Sequence, residues 1–424
     1  MSKRPVSDNK GFAIIYTFMF VFLLVLIITA FSSIAYSSLS MANRTCNTMR
    51  AYYIAEAGLA RKFMDLRSGS TSSLSGTFTI AAGNTGSYSV TVTQVSGGLF
   101  PTYRLDSTGT YRNVSERVSL TLKQISCARY AYLSNSEDLM FWWGSQPIWF
   151  VTGDRLTGPV YSNDQLNISG SPVFEGAVSS AASSINYYHG GPPTDDPDFQ
   201  DSLTLGAPVI QLPSFVNDVK AAAQQPNGVY LTGNTIMTLL PDGTMNVTNA
   251  AQGWISQNMP LPPNGALFVS GGYVDISGTL SGQLTVGTDN NIYVVNNLRY
   301  NDDPRINPDS SDALGLVSQN NVLVDINAPF NMEIDAYIVA LNSSFSVQGY
   351  DSVLKGTLTL YGGMTQQRRG GVGTFNASTN QKVSGYTKNY MYDDRFANVA
   401  PLYFPPAVDS NGRIVYLKIV WSEL

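Results

Sequence analysis

"LFVSGGYVDISGTLSGQLTVGTDNNIYVVNNLRY" (267–300) is built of apolar runs four or five residues long, separated by Gly, Ser and Asn. Runs that short, bounded by turn formers, read as strands. The pattern returns in "LGLVSQNNVLV" (314–324), "MEIDAYIVALNSSFSVQGY" (332–350) and "KGTLTLYGGMTQ" (355–366). Its loose period of about 20 residues is the length expected of a solenoid rung. From about 126 to 424 the expected architecture is a right-handed parallel β-helix, with an antiparallel sandwich as the alternative because irregular spacing does not fix strand direction. "SSAASSINYYHGGPPTDDPDFQD" (179–201) breaks the pattern and reads as an excursion or lid, and "LPSFVNDVKAAAQQ" (212–225) reads as a short helix.

Upstream, residues 77–125 hold "TFTIAA", "GSYSVTVTQV", "TYRLDSTGTYR" and "SERVSLTLKQI", alternating runs rich in Thr, Val and Tyr with Gly or Asn between them. They predict a four-stranded antiparallel meander. Before it, the Gly/Ser loop "RSGSTSSLSG" (67–76) ends a long segment with no proline after Pro5 and no glycine between Gly11 and Gly58. That segment, 12–66, predicts one unbroken helix. In its second half Leu39, Ala42, Cys46, Met49, Tyr53, Ala57, Ala60 and Met64 recur at three and four residues and form an apolar stripe that needs a partner. A helix packed on a small meander is a two-layer α+β unit, so the fold class is mainly β with a long N-terminal helix.

The first half of the helix has a different character. From Phe12 to Phe31 no residue is charged, and at 1.5 Å per residue this run covers about 30 Å, the hydrocarbon thickness of a bilayer. The leader 1–11 carries Lys3, Arg4 and Lys10 against Asp8, so the positive-inside bias predicts a single pass through the inner membrane with everything after the span outside the cytoplasm. A secretory signal peptide is the competing reading, with "SIA" (33–35) as its cleavage site. The apolar run is too long for it, and the helix pattern passes through unbroken.

Composition narrows the function. Charged residues make up 13% of the chain and the net charge is −5, which argues against a nucleic-acid partner. One histidine, His189, leaves little for His-based metal or triad chemistry. Cys46 and Cys127 are too few for a disulfide scaffold, although one bridge between them is compatible with an oxidising compartment; two separately buried thiols are the other reading.

Lys10-Gly11-Phe12, the uncharged span, "RAYYIAEAGLARKF" (50–63) and "YRLDSTGTYRNVSERVSL" (103–120) together resemble the N-terminus of type IV pilin-like proteins, in particular minor pilins and pseudopilins of the PilX type. The resemblance covers residues 1 to about 125. It implies that a prepilin peptidase cuts between Gly11 and Phe12 and that the partners are other pilin-like subunits. Major pilins have glutamate as the fifth residue after the cut, and here that position is Tyr16. A subunit without the glutamate leaves a neighbour's buried ammonium unpaired. The resemblance therefore points to a tip or priming subunit, at the inner membrane before assembly and on the pilus or cell surface after it. The rest of the chain resembles an uncharacterised bacterial β-rich domain found behind such N-termini, with no known reaction implied.

Candidate chemistry in the remainder is sparse. "MFWWGSQPIWF" (140–150) gathers Phe141, Trp142, Trp143, Trp149 and Phe150, either as an aromatic plug or as a platform for sugar rings or another surface ligand. Asp302, Asp303, Asp309 and Asp312, like Asp195, Asp196, Asp198 and Asp201, offer oxygens to calcium, but neither cluster has the spacing of a calcium loop and a solvated acidic loop is the plainer reading. Apart from calcium no cofactor is expected. Asp275, Asp325 and Asp335 would make a glycan-cleaving pair only if their side chains met, and "QQRRGG" (366–371) reads as a solvated basic bend. No catalytic signature accompanies these residues, so the expected role is assembly and surface contact. The alternatives are an unprocessed, membrane-anchored envelope scaffold and a tethered glycan-active enzyme.

Overall fold

The structure, a computed structural model, describes residues 10–424 except 82–83, 97–100, 142–143, 213–215, 377, 380, 399, 410 and 424. Leader residues Lys3 and Arg4 lie outside the described residues. The fold is mainly β with one long N-terminal helix, α1 (Lys10–Arg67). Within α1 the stretch from Ala13 is long and apolar enough to cross a membrane. Its side chains from Ile14 to Ile34 lie bare.

The C-terminal part of α1 lies on an antiparallel sheet whose first four strands are β1 (Leu74–Ala81), β2 (Asn84–Ser96), β3 (Thr102–Tyr111) and β4 (Val114–Gln124). The helix buries Ala51, Ile54, Ala55, Leu59 and Leu66 against Val90, Leu105, Val118, Leu120 and Leu122. This is a different face from the expected stripe: Leu39, Met49, Tyr53 and Met64 stay exposed. Small side chains decide the phase, because they let the sheet approach the helix backbone. A Cβ on Gly109 would stand 2.2 Å from Ala51 O and 2.3 Å from Ala55 N, and a Cβ on Gly58 would meet the Tyr88 ring at 2.7 Å. Ser107 Oγ donates to Ala55 O at 2.7 Å. The "AEAGL" and "STGTY" phrases are thus the two sides of one contact.

A fifth strand completes the sheet. Tyr416–Glu423 pairs antiparallel with β4, Trp421 opposite Leu120 and Tyr416 opposite Gln124. Arg67, at the end of α1, bonds Asp409 at 2.5 Å and Ile414 O at 3.3 Å, which fixes the approach of that strand. The expected division into a meander and a β-domain running to the C-terminus is corrected accordingly: the chain leaves the sheet after Gln124 and returns to it at Tyr416. Long-range pairing of this kind leaves no local signature.

Between those points most strands stack in register as parallel ladders, with antiparallel pairs among Thr235–Leu239, Thr244–Asn249 and Trp254–Pro260 and between Gly373–Asn376 and Gln381–Tyr392. One column runs Val229, Leu267, Val286, Leu316, Ile338, Met364, Tyr132, Val160, Val178 and Leu203. A second runs Leu239, Gly278, Leu298, Ile334, Leu360, Tyr390, Leu156, Phe174 and Phe199. The inward residues of both belong to one apolar core. Spatial order departs from chain order at one place. The chain enters mid-stack near Tyr132, builds outward to Leu205, returns past the helix Asn217–Ala223, and then fills the stack from the far end until Met364 meets Tyr132. The helix matches the short one expected in 212–225. The expected lid at 179–201 is instead part of the stack: Asn186–Tyr187 and Asp198–Phe199 pair parallel with their neighbours.

Candidate functional site

The place where the two segments meet is polar inside an otherwise apolar stack. Glu137, fully buried, follows the strand Tyr132–Ser136 and accepts hydrogen bonds from Tyr132 Oη at 3.0 Å, Ser162 Oγ at 3.2 Å and the Ser134 hydroxyl. From the other segment Arg369 Nη1 reaches Glu137 Oε2 at 3.1 Å. The same guanidinium donates to Ile148 O at 3.3 Å and Trp149 O at 3.2 Å and lies 3.5 Å from the centroid of the Phe150 ring. Arg369 N donates to Ser136 O at 2.8 Å. Beside this cluster Asp154 pairs with Lys388, and Arg368 reaches Asp138 at 2.6 Å. Burial pushes the Tyr132 hydroxyl well above its ordinary value, and the charge of Glu137 adds to the rise. A carboxylate met by three hydroxyls and a guanidinium is a brace between segments.

Next to the brace a cavity of about 470 Å³ opens. Its walls include Trp149, Tyr350, Phe375 and Tyr386, with Gln366, Lys382 and Lys388 among them. Gly370 forms part of the wall, and a Cβ there would stand 2.1 Å from Phe345 O.

The residues singled out in the sequence are dispersed. Gly11 and Phe12 are in the first turns of α1, and Tyr16 is bare on the helix. Cys46 and Cys127 are both free, the first exposed and the second buried in the turn Cys127–Arg129, so the bridge does not form. The buried helix–sheet core begins at Ala51, which leaves Cys46 outside it. Asp302, Asp303 and Asp312 already have partners: Asp303 pairs with Arg305 at 2.8 Å, Asp302 accepts from Asn307 Nδ2 at 2.9 Å, and Asp312 accepts from Gly282 N at 2.6 Å and Asp302 N at 2.9 Å. Asp309 contributes its backbone N–H to Asn307 Oδ1. Among the described residues no three His, Cys, Asp or Glu side chains converge as a metal cage. Asp195 is buried and accepts from Gly170 N at 2.8 Å and pairs with His189 Nδ1 at 2.9 Å.

Asp275 and Asp325 are close enough that the second adds to the rise burial gives the first, whereas Asp335 sits elsewhere with Arg305 at 3.2 Å. The "QQRRGG" bend is corrected outright: Arg369 is buried in the brace. Trp142 and Trp143 lie outside the described residues, Phe150 is core, and Trp149 packs edge-on against Tyr188 with centroids 5.0 Å apart. Glu137, Asp154 and Lys388 escaped the sequence reading altogether. The available signal was the Arg-Arg doublet set between apolar strands, where a buried cation demands a distant acid.

The model of a domain of unknown function (DUF4900) matches residues 87–183, which spans the sheet's inner strands and the first rungs of the stack. Among solved structures, the crystal structure of the competence-associated pilin ComZ from Thermus thermophilus is similar over 89% of this chain and 97% of that one, at 12% identity and a TM-score of 0.37. No curated protein matches.

Proposed function

We propose that this chain is a minor pilin-like subunit, anchored by α1 in the inner membrane and then built into a type IV pilus-like or pseudopilus-like fibre, where it displays the stacked domain for surface contact. The observation that carries this reading is the two-sided α1. Ala51, Ala55 and Leu59 are covered by the chain's own sheet, while Leu39, Met49, Tyr53 and Met64 and all the large apolar residues from Ile14 to Ile34 remain bare. A bilayer covers the first part; helices of neighbouring subunits would cover the rest. The stack itself reads as a β-helix entered at its middle and inserted between the fourth and fifth strands of a pilin-like sheet, so it projects from the fibre without adding a strand to its own support. Tyr16, neutral where a repeating subunit carries a carboxylate, fits a tip or priming position. The role is assembly and contact without catalysis, and the braced Glu137 fits that reading.

The mature N-terminus tests the proposal. In the native host, mass spectrometry should find the chain beginning at Phe12, and substitution of Gly11 should preserve residues 1–11. An intact leader on the membrane-resident protein would replace this reading with that of an unprocessed envelope anchor. Quantitative proteomics of sheared fibres should place the chain far below the major subunit.

A further inference from the structure

The cavity beside the brace is more than a packing defect. Its volume of about 470 Å³ lies within the range of roughly 300–1,000 Å³ that small-molecule sites occupy. It is walled by aromatic rings, yet it is also supplied with donors. Gln366 is 1% exposed, and its Oε1 accepts from Phe345 N at 3.0 Å. Among the described residues its Nε2 meets only the Met364 thioether at 3.6 Å, so a buried amide donor is left with a weak acceptor. Buried donors are ordinarily paired with oxygen. At the edge of the cavity Lys382 donates to Gly356 O and Lys355 O and pairs with no carboxylate among the described residues. The other two cations are already answered, Arg369 by Glu137 and Lys388 by Asp154.

Trp149 completes the arrangement. Its carbonyl is held by Arg369, and its ring meets Tyr188 at an interplanar angle of 86°. Tyr188 in turn meets Phe375 at 73°. An edge-on contact occupies at most one face of a ring, so each of these rings keeps a second face, and an indole face on a cavity wall is a surface on which the C–H bonds of a pyranose ring stack. Aromatic faces, a buried amide donor and an ammonium held only by carbonyls match a ligand with an apolar ring face, ring hydroxyls and a carboxylate.

We propose that this cavity is a carbohydrate-binding site for an acidic pyranose of the uronic-acid class, with Trp149 as its stacking surface, Gln366 as a hydroxyl-directed donor and Lys382 as the carboxylate partner. The site is independent of fibre assembly, so it stands whether or not the leader is cut.

The test uses the full chain in detergent micelles and calorimetric titration with digalacturonate and with the neutral disaccharide digalactose. A charge-assisted hydrogen bond contributes about 1.5–3 kcal/mol, so the acid should bind at least about tenfold tighter than its neutral counterpart, and added salt should narrow the gap. Lys382→Met should abolish the preference, bringing digalacturonate affinity down to that of digalactose. Trp149→Ala should weaken both sugars by a similar factor, and Ile255→Ala, on a bare surface elsewhere, should weaken neither. The wild-type comparison needs no variant to fold. Absence of binding to either sugar at millimolar concentration overturns the site, and equal affinity for the two sugars overturns the acidic assignment. An equal loss in the Trp149 and Ile255 variants overturns the placement.

Discussion

Replacing Glu137 with Gln keeps the shape of the brace and removes its charge, leaving Arg369 buried at 4% exposure without a counter-ion. Breaking a buried pair from one side costs about 3–5 kcal/mol, because the remaining charge stays desolvated. Here the guanidinium keeps two carbonyl acceptors and the Phe150 face at 3.5 Å, and a desolvated cation–π contact is worth about 2 kcal/mol, so the expected loss falls at the low end, about 3 kcal/mol. Arg369→Met should cost about 4 kcal/mol, since it strands Glu137 and frees the Ile148 and Trp149 carbonyls together. The double substitution should recover about 2–3 kcal/mol of the summed loss, because neither charge is then left alone.

Native-state hydrogen exchange reads this locally. The seam amides of Met364, bonded to Ala131 O at 3.0 Å, and of residue 369, bonded to Ser136 O, report opening between segments; the amide of Val274, bonded to Asn291 O at 3.0 Å, reports the distant stack. A loss of about 3 kcal/mol raises seam opening by about a hundredfold. Val274 should be unchanged. Unaltered seam exchange in both single variants, or a double variant that loses the full sum, would refute the brace as the junction's support.

Three further outcomes follow from the same coordinates. Gly109→Ala should cost about 1–3 kcal/mol of helix–sheet docking, seen as faster proteolysis in the 68–73 loop, because its Cβ cannot fit against Ala51 O. In the native protein Cys46 should react with an alkylating reagent at neutral pH while Cys127, whose thiol burial pushes up to about 12, reacts only after unfolding; peptide mapping of the two labels decides. Burial pushes Asp335 up to about 7 against the opposing pull of Arg305, and its Oδ1 has no partner among the described residues. Its folded value is raised, so its contribution is complete below about pH 4 and is lost as the pH rises through about 7. Stability measured by denaturant across that window should fall less steeply in Asp335→Asn, and an unchanged slope would reject the assignment.

The parts of this fold that were legible in the sequence are those written in local pattern. An uncharged run of helical length, the meander's alternation and short apolar runs between Gly and Asn each declare their element without reference to distant residues. The helix's packing face was misread because periodicity weights large side chains, whereas Ala51, Ala55 and Gly58 face the sheet by virtue of being small. The fifth strand, Tyr416–Glu423, is a short apolar run with nothing that names a partner nearly 300 residues upstream. The same holds for the site. Trp149 was visible as part of an aromatic cluster, but Arg369 looked like a solvated bend until Glu137 stood opposite it.

The entry of the chain at mid-stack gives that long-range design a physical sense. A stack built in one direction from the sheet would end with its last rung far from Tyr416, and the terminal strand would have to span the domain to return. Filling the second segment from the far end brings Met364 back beside Tyr132 and the following strand, Gln381–Tyr392, beside Arg155–Leu156. Tyr337 Oη and Tyr392 Oη then bond the carbonyls of Cys127 and Ala128 in the entry turn at 2.7 Å and 2.9 Å. Exit and entry are thereby held together, and the segment 393–415 carries the chain back to β4. The arrangement requires a joint where two independently laid ladders meet. A joint between apolar rungs alone would tolerate slippage along the column, whereas a buried acid and base set one register, since a shift of one residue would leave both charges unpaired. The cavity beside Trp149 adjoins this joint, sharing Tyr132, Arg369 and Lys388 with it.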